Sequence, residues 1–491
     1  MQPQRPFDRE SESGLALLLA LIALSLFSLI GLLVALDATS ELRISDNHES
    51  HIRAENAARA GMSHARELLR GLLYDVLLEG PDGTHDGTAQ YINLSKTFPF
   101  RNPMPWAVAR SLDLSNPAAE LGGLSDDGLL NTGLFGGAAG TVLIPKTGVV
   151  LMSGGWGGTV SCRYFVKVTD NNGEASELAG DPADDPFHDG DGLVVVRSAG
   201  VARTIAETLG PIRQCNSVSV IESRFRVRRL FDLDAPLVLQ GRDVEPETAV
   251  MFDGDRFRIQ GGPNRFGVAA VDIDTTDGIL PAQRIMAQVA ESQEGSIQGA
   301  GPPPSITDVT ALVAVDGEKR RVLDPVYLMN FVRVEVPRFA DTVLSGSQTW
   351  NGPAAPDLGH FEASLPPSEP GQRPRVTLVE GDLTVTGPME GAGILVVTGR
   401  LSVTGDFKFC GLILVIGSGE AEASSWNPGL SGGIYLAALV ESGGEVGWGT
   451  ARLSLSGNTQ FLMDEGAIAM ALRLLPPVQV SCREITPTLD P

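Results

Sequence analysis

The sequence predicts an α+β chain: a long N-terminal transmembrane and stalk helix, an antiparallel β head, a mixed α/β insert and a C-terminal β-solenoid-like domain. Three observations lead there. Leu15–Leu36 is an uncharged apolar run, and Asp37–Val76 continues from it without a proline. Strand-like segments follow in the middle of the chain. Near the C-terminus, Val379–Gly387 (VEGDLTVTG) recurs as Val397–Gly405 (VTGRLSVTG), eighteen residues later.

The apolar run has 22 residues, about 33 Å of helix, enough to cross a bilayer core. A secretory signal peptide fits poorly, because its apolar core is shorter and ends at a small-x-small cleavage site. Here the run leads into Ala35-Leu36-Asp37-Ala38. Beyond it, Ala58, Met62, Ala65, Leu69, Leu72 and Val76 recur in steps of four and three, the spacing of a helix with one face on a core. Residues 15–36 therefore read as a membrane helix and 37–76 as an amphipathic stalk, the two parts making one helix of about 60 residues and roughly 90 Å.

Residues 77–230 read as the head. A turn-rich stretch precedes three strand signals at Arg163–Asp170, Gly192–Val201 and Ser217–Arg228. Residues 231–370 read as a mixed insert, with helical patterns at Ala282–Glu294, after Thr307-Asp308, and over Asp324–Asp341 despite Pro337. Residues 371–491 carry the repeat. Gly381, Gly399 and Gly417 keep its period, which suits corners between stacked rungs.

A net charge of −23, from 60 acidic and 37 basic residues, offers no basic face for nucleic acid. Cys162 and Cys215 bracket one β region, and Cys410 and Cys482 another. One bridge in each is the favoured pairing for an oxidising compartment, four free thiols the other reading. The acidic turn region between the first two strand signals is a candidate calcium loop: Asp170, Asn172, Asp184, Asp185, Asp189 and Asp191 supply the oxygen donors that Ca²⁺ takes in loose geometry. Its spacing is not that of an EF-hand, and a solvated acidic loop is the alternative.

No catalytic constellation stands out. Gly429-Leu430-Ser431-Gly432-Gly433 matches the G-x-S-x-G pattern, but Pro428 precedes it, a strand-like segment follows, and no His lies beyond His360. Asp382, Arg400, Asp406 and Lys408 on the repeat are the only group suited to a polysaccharide lyase, on too shallow a stack. His48 and His51 read as solvent-facing residues of the stalk.

Ser13-Gly14-Leu15-Ala16-Leu17-Leu18 resembles the start of the membrane helix in PilX-like minor pilins, and Ala57-Ala58-Arg59-Ala60-Gly61-Met62 is similar to the signature near the end of their stalk. Arg59 stands where that family usually has Glu. The Gly-rich C-terminal β region also resembles that of large PilX-like proteins. The resemblance implies that residues 1–14 are a prepilin-like leader, cut between Gly14 and Leu15 by a prepilin peptidase, and that the new N-terminus is methylated. It also implies packing against other pilins or pseudopilins through the helix, in a bacterial inner membrane with the N-terminus cytoplasmic. Pilins usually carry Glu at the fifth residue after the cleaved Gly; here Leu19 occupies it, as in the largest pseudopilins, which sit at a tip. The expected function is a non-enzymatic tip subunit that primes assembly or presents an adhesive surface to a surface or glycan ligand. An uncleaved membrane-anchored binding protein and a tethered carbohydrate-active enzyme are the alternatives.

Overall fold

The computed structural model describes residues 9–79, 129–130, 141–145, 148–153, 159–171, 192–206, 213–242, 250–254, 256–273, 281–352, 355–362, 364–365 and 371–485. Helix α1, Arg9–Leu68, is a single helix of 60 residues. It starts ahead of Gly14, because Arg9–Ser13 hold no breaker and extend the apolar helix backwards. It stops short of the predicted Val76. Gly71 adopts φ 80°, a left-handed conformation that ends helices and that glycine takes at no steric cost. The Gly71 N–H then donates to the Arg473 carbonyl, 2.7 Å away, and a short second helix, α2, follows at Tyr74–Glu79.

Among the described residues, the contacts of α1 with the rest of the chain lie in its second half. Leu17–Leu36 are exposed, whereas Ser50, Ala54, Ala58, Met62, Ala65 and Leu69 are buried. That buried face lies on an antiparallel sheet of five strands among the described residues. In spatial order they are Val478–Ile485, Arg213–Arg226, Leu193–Ala206, Thr159–Asp170 and Val149–Ser153. The three strand signals read from the sequence form its centre. The two outer strands lie in segments that the sequence reading placed in a loop region and in the C-terminal domain.

Val478–Ile485 therefore belongs to the head. Val478 stands opposite Arg226, so residues 227–477 are inserted into one hairpin of the head sheet. They form the body of the molecule, built from two largely parallel sheets. The larger contains Arg373–Glu380, Met389–Val397, Phe407–Gly417 and Gly429–Ser442 as parallel neighbours. The smaller runs Gln348–Trp350, Leu383–Val385, Leu401–Thr404, Glu420–Ser424, Arg452–Ser456 and Val250–Asp253. The eighteen-residue repeat is a register: Leu383 faces Leu401, Val385 faces Val403, and Met389 faces Phe407.

Residues 231–370 share these sheets. Leu237–Gly241 pairs with Gly429–Ser442, and Val250–Asp253 with Arg452–Ser456. Sequence neighbours do not reveal such pairings, since both partners are ordinary short strands far apart in the chain. The predicted helices are present at Pro281–Ala287, Thr310–Val315 and Pro325–Phe339. In the last, a π-helical stretch over Phe331–Glu335 accommodates Pro337 without ending the helix.

Alternating side chains of the larger sheet feed two cores. Leu395, Val397, Ile413 and Val415 meet Leu383, Val385, Leu401 and Val403 of the smaller sheet. On the other face, Ile394, Val396, Leu412 and Leu414 meet Phe331, Val336 and Phe339, together with Ile468 and Leu472 of the C-terminal helix Glu465–Arg473. Strands buried on both faces read as continuous apolar runs, as Ile394–Val397 and Leu412–Ile416 do. A glycine column crosses them: Gly393, Gly411 and Gly432 stand in register. At Gly411 (φ 131°) a Cβ would lie 2.1 Å from the Gly393 carbonyl oxygen.

Two outcomes are expected. Gly411→Ala should cost about 3 kcal/mol, since neighbouring backbone must move to admit the methyl; denaturant titration measures it. Replacing residues 229–475 with Asn-Gly should leave a head whose sheet still forms, because the insertion leaves and re-enters at paired strand ends; circular dichroism and amide exchange measure that.

Candidate functional site

The N-terminal helix and its seat on the sheet are the most distinctive surface. An 18-residue window of this helix reaches a mean hydropathy of 2.9 with none of it buried, consistent with a single membrane span or a signal sequence. Gly14 and Leu15 lie within α1, whose backbone is helical through that bond. Leu19 is exposed at 58%. Gly31 has nothing within 4 Å of a Cβ position among the described residues.

The seat depends on close approach. A Cβ on Gly200 would lie 1.9 Å from the Ala54 carbonyl oxygen and 2.4 Å from the Ala58 nitrogen. A Cβ on Gly61 would lie 2.3 Å from Ser198 Oγ and 2.6 Å from Tyr164 Cδ2. Helix and strand backbones are therefore nearly in contact, and Ala54 packs with Cys162 and Ala202 beside them. One turn further, His64 Nδ1 and the Tyr164 hydroxyl are hydrogen-bonded at 2.7 Å, and burial pushes that hydroxyl's pKa up. Sequence reading picked out Gly61 and missed Gly200. The available signal was a glycine inside a β-branched strand, Val194–Val201, which often marks close backbone approach.

Across the sheet, Arg197, Glu222 and Arg483 stand side by side on three strands. Arg197 Nε donates to Glu222 Oε2 at 2.7 Å, with both side chains almost fully buried, and Arg483 Nε donates to Glu222 Oε1 at 2.8 Å. Burial pulls the Arg197 guanidinium below its ordinary pKa, and Glu222 works against that pull. Both carboxylate oxygens are thus held by guanidinium groups, and the C-terminal strand is tied to the middle of the sheet.

The favoured disulfides do not form. Cys162, Cys410 and Cys482 are free thiols. Cys162 faces Ala202 and Cys215 faces Thr204, on strands that flank a common neighbour. Two strand spacings, about 9–10 Å, exceed the reach of a disulfide. Cys410 is buried in the larger parallel sheet, whereas Cys482 is exposed on the last strand of the head. Burial pushes the Cys410 thiol up to about 12. Of the candidate calcium ligands, Asp170 ends the strand Thr159–Asp170, while Asn172, Asp184, Asp185, Asp189 and Asp191 lie outside the described residues.

Ser431 lies within a strand and donates to Asp464 Oδ2 at 3.0 Å, while Asp464 Oδ1 caps the C-terminal helix through Ala467 N. This is not the strand-to-helix elbow that a G-x-S-x-G nucleophile requires. On the repeat, Asp382 Oδ1 accepts from the Arg400 backbone N–H at 2.8 Å, and the Arg400 guanidinium pairs with Glu422. These groups link the starts of the neighbouring parallel strands Leu383–Val385 and Leu401–Thr404, and Arg400 reaches on to Glu420–Ser424. His51 lies 3.8 Å from Glu484 on the exposed side of the stalk.

The outer face of the smaller sheet is the other ordered surface. At one level, Thr349, Thr384, Ser402, Glu422 and Ser454 are adjacent on successive strands; at the next outward level, Thr404, Ser424 and Ser456 are. Arg452 pairs with Glu420 along the same margin as the Arg400–Glu422 pair.

No protein family, curated protein or solved structure matches this chain. Its function is read from its own residues.

Gly200→Val is expected to lower stability by about 3 kcal/mol through the clash with α1, and a matched change at exposed Val480 to leave it unchanged, both by thermal melt. Iodoacetamide at pH 8 should modify Cys482 in the native protein and reach Cys162 and Cys410 only after unfolding, which peptide mass mapping distinguishes.

Proposed function

We propose that the protein is a non-enzymatic, minor-pilin-like subunit of a type IV pilus or related secretion filament, placed at its tip. The observation that carries this reading is the division of α1. Its first half is apolar and exposed along Leu17–Leu36, and its second half is seated on an antiparallel sheet through Gly61 and Gly200. An apolar helix that buries nothing in its own chain needs lipid or other helices around it. Small Gly31, without a neighbour here, suits close helix approach in a membrane.

The place where the body leaves the head supports a tip position. Along α1 from Ala54 to Leu69, the sheet is crossed from the Gly200–Ala202 level to the Val194 level. The hairpin that holds the body, at Arg226 and Val478, opens just beyond that second level. The body is thus carried at the end of the head farthest from the apolar segment. From Leu36 to Leu69 the helix rises about 50 Å. Leu19 in place of the usual buried Glu fits a subunit with no neighbour above it, since a carboxylate in lipid is costly unless paired.

On this reading, the helix spans the inner membrane with its N-terminus cytoplasmic, a prepilin peptidase cuts after Gly14, and the rest is periplasmic or extracellular. The in-register rungs of the body make a β-solenoid-like display domain. The second reading, an uncleaved membrane-anchored binding protein, is favoured by the helical backbone through Gly14–Leu15.

N-terminal sequencing of the membrane-extracted protein separates the two. A chain beginning at Leu15 only when the peptidase is present is the expected result, and Gly14→Val should abolish processing. A chain beginning at Met1 in both cases overturns the filament reading and leaves the anchored one.

A further inference from the structure

We propose that Asp37–Glu49 is a joint in α1, a stretch of helix that opens and recloses while the segments on either side stay helical, so that head and body swing over the membrane segment. The inference rests on Leu17–Leu36 lying in lipid, which both readings above share, and not on processing at Gly14. Its basis is a difference in support along α1. In lipid the backbone is held helical, because an open backbone group there is costly. From Ser50 onward the helix is seated on the head sheet. Between the two lie thirteen residues, about 20 Å of helix, exposed at every position except half-buried Thr39.

The composition of this stretch does not make up for the missing contacts. Asp37, Thr39, Ser40, Ser45, Asp46 and Asn47 are six of its thirteen residues, and side chains of these types compete with a helix by bonding to nearby backbone groups. Thr39 does so here: its Oγ1 donates to the Ala35 carbonyl, a back-bond that weakens and bends helices. Asp37 and Glu41 place like charges four residues apart, which is unfavourable on a helix. The seated part is built differently. Ala54–Leu68 holds five alanines, the best helix former. The ion pairs Glu49–Arg53 and Glu55–Arg59, each spanning four residues, begin where the seat begins.

No glycine or proline interrupts the stretch, so it recloses readily: formed helix on both sides supplies the nucleus that an isolated helix of this length lacks. In the closed state α1 is continuous and its apolar half points away from the head. In the open state the same thirteen residues reach up to about 45 Å, more than twice the helical length. The Gly61–Gly200 seat cannot absorb a tilt of the body, since the two backbones there are nearly in contact. A pull on the body is therefore taken up at the joint.

The test is amide hydrogen exchange on the full-length protein in lipid nanodiscs, resolved by peptide mass mapping. Asp37–Glu49 should exchange about a hundredfold faster than either Leu17–Leu36 or Ala54–Leu69. Changing Thr39→Ala, Ser40→Ala, Ser45→Ala and Asp46→Ala together should slow that exchange about tenfold and leave the flanking segments unmoved. Exchange of Asp37–Glu49 as slow as that of Ala54–Leu69, or unaffected by the fourfold variant, would overturn the joint. Fast exchange across Leu17–Leu36 as well would overturn the membrane placement on which the joint and both readings rest.

Discussion

The contact between α1 and the head sheet is the constraint from which the rest follows. Gly200 and Gly61 bring two backbones so close that a methyl group on either side collides. Ala54, Ala58 and Ala65 keep the same face of the helix shallow. Such packing sets the helix at one height and one rotation, because any larger side chain along the seam would lift it. The apolar half then has a fixed direction away from the sheet, and the hairpin holding the body has a fixed position at the opposite end.

Polar groups tie the body back to the head: Arg70 donates to the Phe339 carbonyl at 2.9 Å and Arg226 to Glu318 at 3.1 Å. Within the body, next to this junction, Arg228 donates to Glu335 at 2.7 Å and Arg265 gathers Asp232, Asp234 and Glu465. Partly exposed pairs of this kind contribute little stability individually, but they select one orientation. The apolar free energy sits elsewhere, in the two layers on either side of the larger parallel sheet. The architecture therefore has three parts: an exposed apolar segment, a close-packed head and an independently cored body.

Legibility differed by the kind of interaction. The stalk positions Ala58, Met62, Ala65, Leu69 and Leu72 are buried as their spacing implied, since a helix writes its contacts at three- and four-residue steps. The central head strands were legible from alternation, and the eighteen-residue register of the parallel strands from the repeat. What escaped was non-local. Nothing in VQVSCREI signals that Val478–Ile485 lies against Arg213–Arg226, nor does the cross-strand triad of Arg197, Glu222 and Arg483 leave a local pattern. Bracketing cysteines suggested bridges, yet strand order placed Cys162 two strands from Cys215. Gly71, read as part of a continuous helix, ends it by taking a positive φ.

By itself the sequence determined what local periodicity can encode: an exposed apolar helix long enough for a bilayer, a helix face fitted to a core, and strands that recur every eighteen residues. Only the tertiary structure decided which strands share a sheet, that the body is an insertion within one head hairpin, and that glycines from separate strands stand in one column. The physical reason is that sheet pairing and close backbone approach depend on residues distant in the chain, whose partners are chosen by shape and hydrogen-bond register and not by spacing.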